Sequence, residues 1–177
     1  ADSVAVSKLT WIIAQQYGPF YMRMCRSKTP IIHNDSQEFQ VGKAITMREG
    51  SDCTIAACGI TVKMALDAAD LLNQDGISCR VIDCFSIKPI DKELLEKAAR
   101  ETGAIVTCEE HNVMGGFGSA VSEVVSESYP VPIRRIGVQD KFGESARDNE
   151  IAQLLEKHGM TPINIINMVK EARSQKQ

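Results

Sequence analysis

Aromatic residues are scarce in this chain, with one tryptophan, three tyrosines and five phenylalanines among 177 residues. Base stacking on nucleic acid therefore has little to build on. Positive charge is not in excess either, since 20 Lys and Arg stand against 23 Asp and Glu for a net charge of -3. A phosphate backbone would meet no broad basic field. No apolar run approaches the ~18 residues of a membrane span, and residues 1–10 lack the basic-then-apolar order of a secretory signal. These absences predict a soluble, cytoplasmic protein with neither nucleic acid nor membrane as partner. The six cysteines, at 25, 53, 58, 79, 84 and 108, include no CxxC pair and no histidine at a zinc-binding interval, so no metal site is expected. All but Cys25 fall in or beside apolar stretches, where a free thiol behaves as a small hydrophobe in a reducing compartment.

What is present suits one globular domain, or one and a fraction, with a real core: 44% of residues are hydrophobic and 24% charged. Two zones emerge from the periodicity. In residues 3–16, Val6, Leu9, Ile12 and Ile13 recur at helical spacing, Gly18-Pro19 stops the helix, and the β-prone residues 20–25 predict a strand. One helix and one strand cannot bury both their faces, so this zone must lean on something else. The polar residues 27–40, with Pro30, Asn34, Asp35 and Ser36, read as a linker.

From Val41 onward the pattern alternates. Residues 53–58 (CTIAAC) form a strand-length apolar run closed by Gly59, followed by a helix over 61–73 with Val62, Ala65, Ala69 and Leu72 on one face. Asp75-Gly76 turns the chain into a second run, 78–85, and Asp91 introduces a helix that buries Leu94, Leu95 and Ala98 and stops at Gly103. Residues 104–108 are a third buried run. Gly115-Gly116-Phe117-Gly118 then lead into a helix to about 127, with Val121, Val124 and Val125 inward, and 133–138 make a fourth run. Helices over 148–158 and 162–173, the latter capped by Thr161, complete the pattern. Continuous apolar strands separated by helices of roughly ten to fifteen residues indicate an α/β fold, a three-layer α/β/α arrangement on an open, mostly parallel sheet. Ligands of such sheets sit at the carboxyl ends of the strands, here Gly59-Ile60, 85–88, 109–118 and 138–142.

Residues 107–118 hold the densest cluster of reactive side chains and glycines. Gly115, Gly116 and Gly118 suit either an anion loop at a helix N-terminus or close helix-to-sheet packing; the GxGxxG spacing and a phosphate-loop lysine are both missing. Glu109 and His111, sharing one side of an extended segment, could form an acid/base set, but no nucleophile or second histidine lies close in sequence, which favours a structural or interface role. A Cys108-His111 pair fails because Cys108 sits in a buried strand. His33, in the linker, and His158, near a helix end, read as non-catalytic. Arg23 and Arg26, beside the first predicted strand, suit either a phosphate grip or a solvated strand end.

The order of three motifs is more specific than any of these residues. IKPID (87–91), EEHNVMGGFGSAV (109–121) and DKFGESA (140–146) together resemble the C-terminal domain of transketolase, in the split form that divides the enzyme into N- and C-terminal polypeptides. The similarity covers about 41–169, and GPFYMRMCR (18–26) looks like the end of the preceding pyrimidine-binding domain. The resemblance thus implies a division into a remnant of that domain plus linker, 1–36, and a transketolase C-terminal domain, 37–177. It implies an intact enzyme of the pentose phosphate pathway that moves a two-carbon ketol unit between sugar phosphates, using thiamine diphosphate and Mg²⁺. The family's metal-binding GDG segment is missing here, so neither cofactor is expected on this chain alone and no catalytic residue is assigned. Arg26, seven residues after Pro19, matches the family arginine that binds substrate phosphate. Glu109, His111, Asn112, Gly115, Gly116 and Gly118 then fall to a subunit interface or an anion loop. The partners implied are an N-terminal transketolase polypeptide and a second copy in a homodimer, with sugar phosphates bound only by the full enzyme. 1-Deoxyxylulose-5-phosphate synthase and the β subunit of 2-oxo acid dehydrogenase share this domain and stay open as alternatives, as does a non-enzymatic anion-binding or oligomerisation module.

Overall fold

The computed structural model describes residues 1–26 and 28–176. Helix α1 (Ser3–Ala14) starts where Asp2 accepts a hydrogen bond from the Ala5 amide at 2.9 Å, a side-chain N-cap. Strand β1 (Ile45–Arg48) is half-buried, whereas β2 (Cys53–Ala57) is buried at every residue, the signature of a strand covered on both faces. Helix α2 (Thr61–Gln74) carries the chain to β3 (Cys79–Asp83), again fully buried. Helix α3 (Lys92–Thr102) is capped at both ends as the sequence predicts: Asp91 accepts from the Leu94 amide at 3.1 Å, and Gly103 adopts φ 65°. Strand β4 (Ile105–Asn112), helix α4 (Phe117–Ser128) and strand β5 (Ile133–Val138) follow. A 3₁₀ turn at Asp148–Glu150 leads into α5 (Ile151–Lys157), and α6 (Pro162–Ser174) starts at its N-cap Thr161.

The sheet order is β1-β3-β2-β4-β5, with β1 antiparallel to β3 and the rest parallel. Helices α2 and α6 cover one face, packing Val62, Leu72, Ile165 and Val169 around Ile55, Val81 and Val106. Helices α3 and α4 cover the other, with Leu95, Ala98, Phe117 and Val121 against Ala56, Ile82 and Ile105. Each of the Val, Leu, Ile and Phe side chains taken fully out of water contributes about 1.5–3 kcal/mol before its ordering cost. The three-layer α/β/α architecture is the one the alternating pattern predicts.

Two local expectations differ. Residues 20–25 form no strand; Tyr21 and Met24 are exposed, and the segment is held by its Arg23 side chain to the Glu110 carbonyl at 2.7 Å. A strand needs a neighbour for its N–H and C=O groups, and no ladder forms here. Conversely, β1 has no separate signal among the four predicted runs, because four residues ending in Arg48 are too few to show a period. The expected linker, 27–40, has no helix or strand in its described part; Ser27 lies outside the described residues.

Candidate functional site

The chain runs from β2 to β3 on one side and returns to β4 on the other, so the carboxyl ends of β2 and β4 form the switch point of the sheet. That crevice is occupied by the protein's own groups. Thr61 Oγ1 lies 2.8 Å from both the Cys58 and Cys108 carbonyls and donates its single proton to either. Cys58 is half-buried beside it, and burial above all, with the charges of Glu109 and Asp83, pushes its thiol up to about 12. It stays protonated at neutral pH and is no nucleophile. Cys108 is buried and likewise pushed up, while His111 is exposed, so a Cys-His pair is not assembled.

Glu109 is the centre of the next loop. β4 keeps step with β5 to Cys108↔Ile136, then slips, so that Asn112 faces Val138. Four residues on one strand advance against two on the other, an irregularity that re-aims side chains. Glu109 therefore turns inward, 1% exposed, while His111 is exposed. Glu109 and His111 therefore do not share an environment, one being buried and the other exposed. The Glu109 carboxylate accepts from the Phe117 amide at 2.6 Å and the Gly118 amide at 2.8 Å. Burial raises its pKa, and the Gly118 and Phe117 amides pull back only part of that shift. The amino end of α4, where an external anion would sit, already holds a carboxylate of the same chain.

The glycines make the room. A Cβ on Gly116 would collide with Glu109 Oε2 and the Asn112 carbonyl. On Gly118 it would come within 2.6 Å of Thr107 Oγ1 and 3.1 Å of Glu109 Oε1, and on Gly137 within 3.0 Å of Glu109 Cγ. Gly115 has open space but φ 71°, a left-handed backbone that favours glycine. Asn112 pins the turn, accepting from the Met114 amide at 2.8 Å and donating to Asp140 at 3.2 Å. Arg135 donates to the Val113 carbonyl at 2.8 Å and to Ser119 Oγ at 3.1 Å. His111 Nδ1 lies 3.1 Å from the Asn112 carbonyl. The structure thus joins Glu109, Gly116 and Gly118 in one packed unit and leaves His111 at the surface.

Arg26 reaches a different partner, pairing with Asp148 at 2.7 Å with both side chains mostly exposed. Arg23 and Arg26 nonetheless bring residues 20–26 to the ends of β4 and of the chain after β5. Sequence reasoning missed a buried trio: Asp2, His33 and Asp83, whose side chains have no solvent exposure. They lie far apart in sequence, and the one local hint is the apolar Ile31-Ile32 before His33. Among the described residues, no group of three or more His, Cys, Asp or Glu is arranged to hold a metal ion, and no helix is long and apolar enough to cross a membrane.

The family model of the transketolase C-terminal domain matches residues 42–165. The chain belongs to that family. This transketolase C-terminal domain is 42% identical, over 90% of its length, to a 6-deoxy-6-sulfo-D-fructose transketolase subunit of Clostridium sp. (strain MSTE9). It is 43% identical, over 85% of its length, to one of the subunits of the apulose-4-phosphate transketolase of Phocaeicola vulgatus (strain ATCC 8482). It spans 48% of the length of each. A solved structure described as a split-gene transketolase in an inactive beta4 tetramer superposes on all of the chain with a TM-score of 0.95 and 44% identity, and the chain covers 57% of it. The slip in β4, the inward Glu109 and the glycines around it therefore lie in a transketolase C-terminal domain.

Proposed function

We propose that this chain is the C-terminal part of a thiamine-diphosphate-dependent transketolase of split type, and that it works there as a packing and subunit-interface domain. The observation that carries this reading is the filled carboxyl edge: the Phe117 and Gly118 amides and the β2–β4 crevice are taken by Glu109 and Thr61. A sheet whose switch point is closed by its own side chains offers a surface to other polypeptides, not a pocket to a sugar. Thiamine diphosphate and Mg²⁺ do not fit the residues present, which include neither a GDG segment nor a metal-ligand cluster among the described residues. Both are held by portions of the intact enzyme outside this chain. Residues 1–36 are the end of the pyrimidine-binding domain plus linker and 37–177 the C-terminal domain; Trp11, Tyr21 and Met24 on the first part pack against the rest of that domain. His111 and Asn112 face a second copy in a homodimer. Arg26, whose exposed pair with Asp148 is weak and easily exchanged, takes the phosphate of the sugar substrate. In the joined enzyme the C2–C3 bond of a ketose phosphate breaks, and the two-carbon unit forms a new bond to the aldehyde carbon of an aldose phosphate.

The test is reconstitution under the reducing conditions of the cytosol. This chain, extended by the rest of the pyrimidine-binding domain, is mixed with the N-terminal polypeptide, thiamine diphosphate and Mg²⁺, with a ketose phosphate or pyruvate as donor. Ketol transfer from the ketose phosphate only in the mixture is expected, with Arg26→Ala raising KM for the phosphorylated substrate more than it lowers kcat. Turnover of pyruvate in preference to the ketose phosphate would transfer the reading to the synthase or dehydrogenase alternatives, and no transfer from either would remove it.

A further inference from the structure

Asp2, His33 and Asp83 come from three places in the chain: the N-cap of α1, the linker and the carboxyl end of β3. All three side chains are shut off from solvent. The imidazole lies between the two carboxylates, with Nδ1 3.2 Å from Asp2 Oδ2 and Nε2 3.3 Å from Asp83 Oδ2. A neutral imidazole has one N–H and one lone pair. Either tautomer would therefore set a ring lone pair against a carboxylate oxygen, and only the imidazolium offers a proton to both sides. The two carboxylates are not equivalent. Asp2 Oδ2 also accepts from the Ile32 and His33 amides at 2.7 and 2.8 Å. Among the described residues, neither Asp83 oxygen has a hydrogen-bond partner; its contact with Nε2 has ion-pair distance, but its alignment falls short of a hydrogen bond. His33 is thus the one cation paired with Asp83 among the described residues. The Phe39 ring packs edge-on to His33 at 5.1 Å, and Phe85 packs on Phe39, so the pair stands in an apolar setting where an uncompensated charge is costly.

We propose that this trio is a pH-operated clasp, in which the His33 imidazolium holds α1 and the linker against the carboxyl end of β3 and its deprotonation loosens them. Lys8 Nζ also donates to the Gln37 carbonyl at 2.8 Å, a second tie between α1 and the linker. The other titratable and charged groups in this neighbourhood are the Cys58 and Cys84 thiols beside Asp83, with Glu109 and Arg23 acting on Cys58 and Asp91 on Cys84. Both thiols are pushed up, by burial first, and stay neutral. Burial is also the largest single influence on His33 and pushes it toward the neutral form, but Asp83 and then Asp2 outweigh it, and the net shift is upward from 6.5. A group whose folded-state pKa is raised contributes its stability fully below the ordinary value and loses it as pH climbs through the raised one. The clasp is therefore closed below the ordinary value of 6.5 and opens as pH climbs through the raised one.

Nitrogen NMR of the His33 ring in the wild-type chain reads the proton directly. Both ring nitrogens are expected to be protonated well below pH 6.5, with a midpoint above that ordinary value. Amide exchange, corrected for the intrinsic rate, reads the opening. From about pH 6 to about pH 9, protection of the Ile32 and His33 amides should fall relative to Ile55 and Val81 in the sheet, on the order of tenfold for each unit separating the folded and unfolded pKa values. In His33→Gln this extra pH dependence should vanish, and in Asp83→Asn the midpoint should drop. A midpoint at or below 6.5, or Ile32 and His33 protection that tracks the sheet amides at every pH, overturns the clasp. Both wild-type readings stand even if a variant fails to fold.

Discussion

Glu109 Oε2 accepts the Phe117 amide proton at 2.6 Å, so that a side chain of β4 caps the helix that begins eight residues later. The same carboxylate takes the Gly118 amide at 2.8 Å. Replacing Glu109 by Ala leaves two buried donors unpaired, at about 1–3 kcal/mol each, in addition to a cavity. Glu109→Gln retains the volume and one acceptor and should cost less. Urea unfolding of the three proteins checks the order, wild type above Gln above Ala; an Ala variant within about 0.5 kcal/mol of wild type would show that the cap is dispensable.

Gly116 and Gly115 should respond to alanine for different reasons and by different amounts. At Gly115 the cost is backbone strain alone, about 1–2 kcal/mol for a left-handed residue, because none of the described residues lies within 4 Å of an added Cβ. At Gly116 the Cβ meets the Glu109 carboxylate and the Asn112 carbonyl. Backbone cannot retreat as a flexible side chain can, so Gly116→Ala should be the more destabilising of the two. Thermal midpoints of the paired variants decide it.

Thiol reactivity should separate the six cysteines by burial. Cys25 is exposed, Cys58 half-buried and the other four buried. An aromatic disulfide reagent is expected to label Cys25 at once, Cys58 slowly because burial pushes its thiol up to about 12, and the remaining four only after denaturation, since they are buried from the reagent as well as pushed up, Cys53 to about 12 and Cys79 to about 11. Peptide mass mapping over time reads the order. Early labelling of Cys108 would contradict its place in a central strand.

Acid should loosen the start of α1. Burial raises the Asp2 pKa, but the amides of Ala5, His33 and Ile32 and then the His33 side chain outweigh it and lower it from 3.8 to about 2. A depressed carboxyl contributes its stability above 3.8 and loses it as pH falls through about 2. The loss is on the order of 2 kcal/mol. The stability gap between wild type and Asp2→Asn, followed by denaturant unfolding from about pH 5 to about pH 2, should therefore shrink as the solution becomes more acidic; a constant gap would count against the shift.

Much of this domain can be read without coordinates, and the reason differs by element. Asp91, Leu95, Ala98 and Gly103 write α3 locally, through a cap, an apolar stripe and a glycine stop. The uninterrupted apolar runs of β2 and β3 announce strands covered on both faces. Residues 20–25 misled for the opposite reason: their β propensity is local, but a ladder needs a neighbour, and the side chain of Arg23 is what secures them. In the candidate site, Glu109 and the glycines were legible as a cluster, while their roles were not, because a one-strand slip between Cys108 and Asn112 decides which side chains turn inward.

Residue order by itself determined the layers, the order of the helices and the family, since each depends on spacing within about twenty residues or on three motifs in sequence. Tertiary structure alone decided that Glu109 fills the amino end of α4, that Thr61 bridges β2 and β4, and that His33 stands between Asp2 and Asp83. Those contacts join residues from separate elements, and their energy comes from burial, where a charge or an amide must find its partner within the fold because water is no longer there to serve.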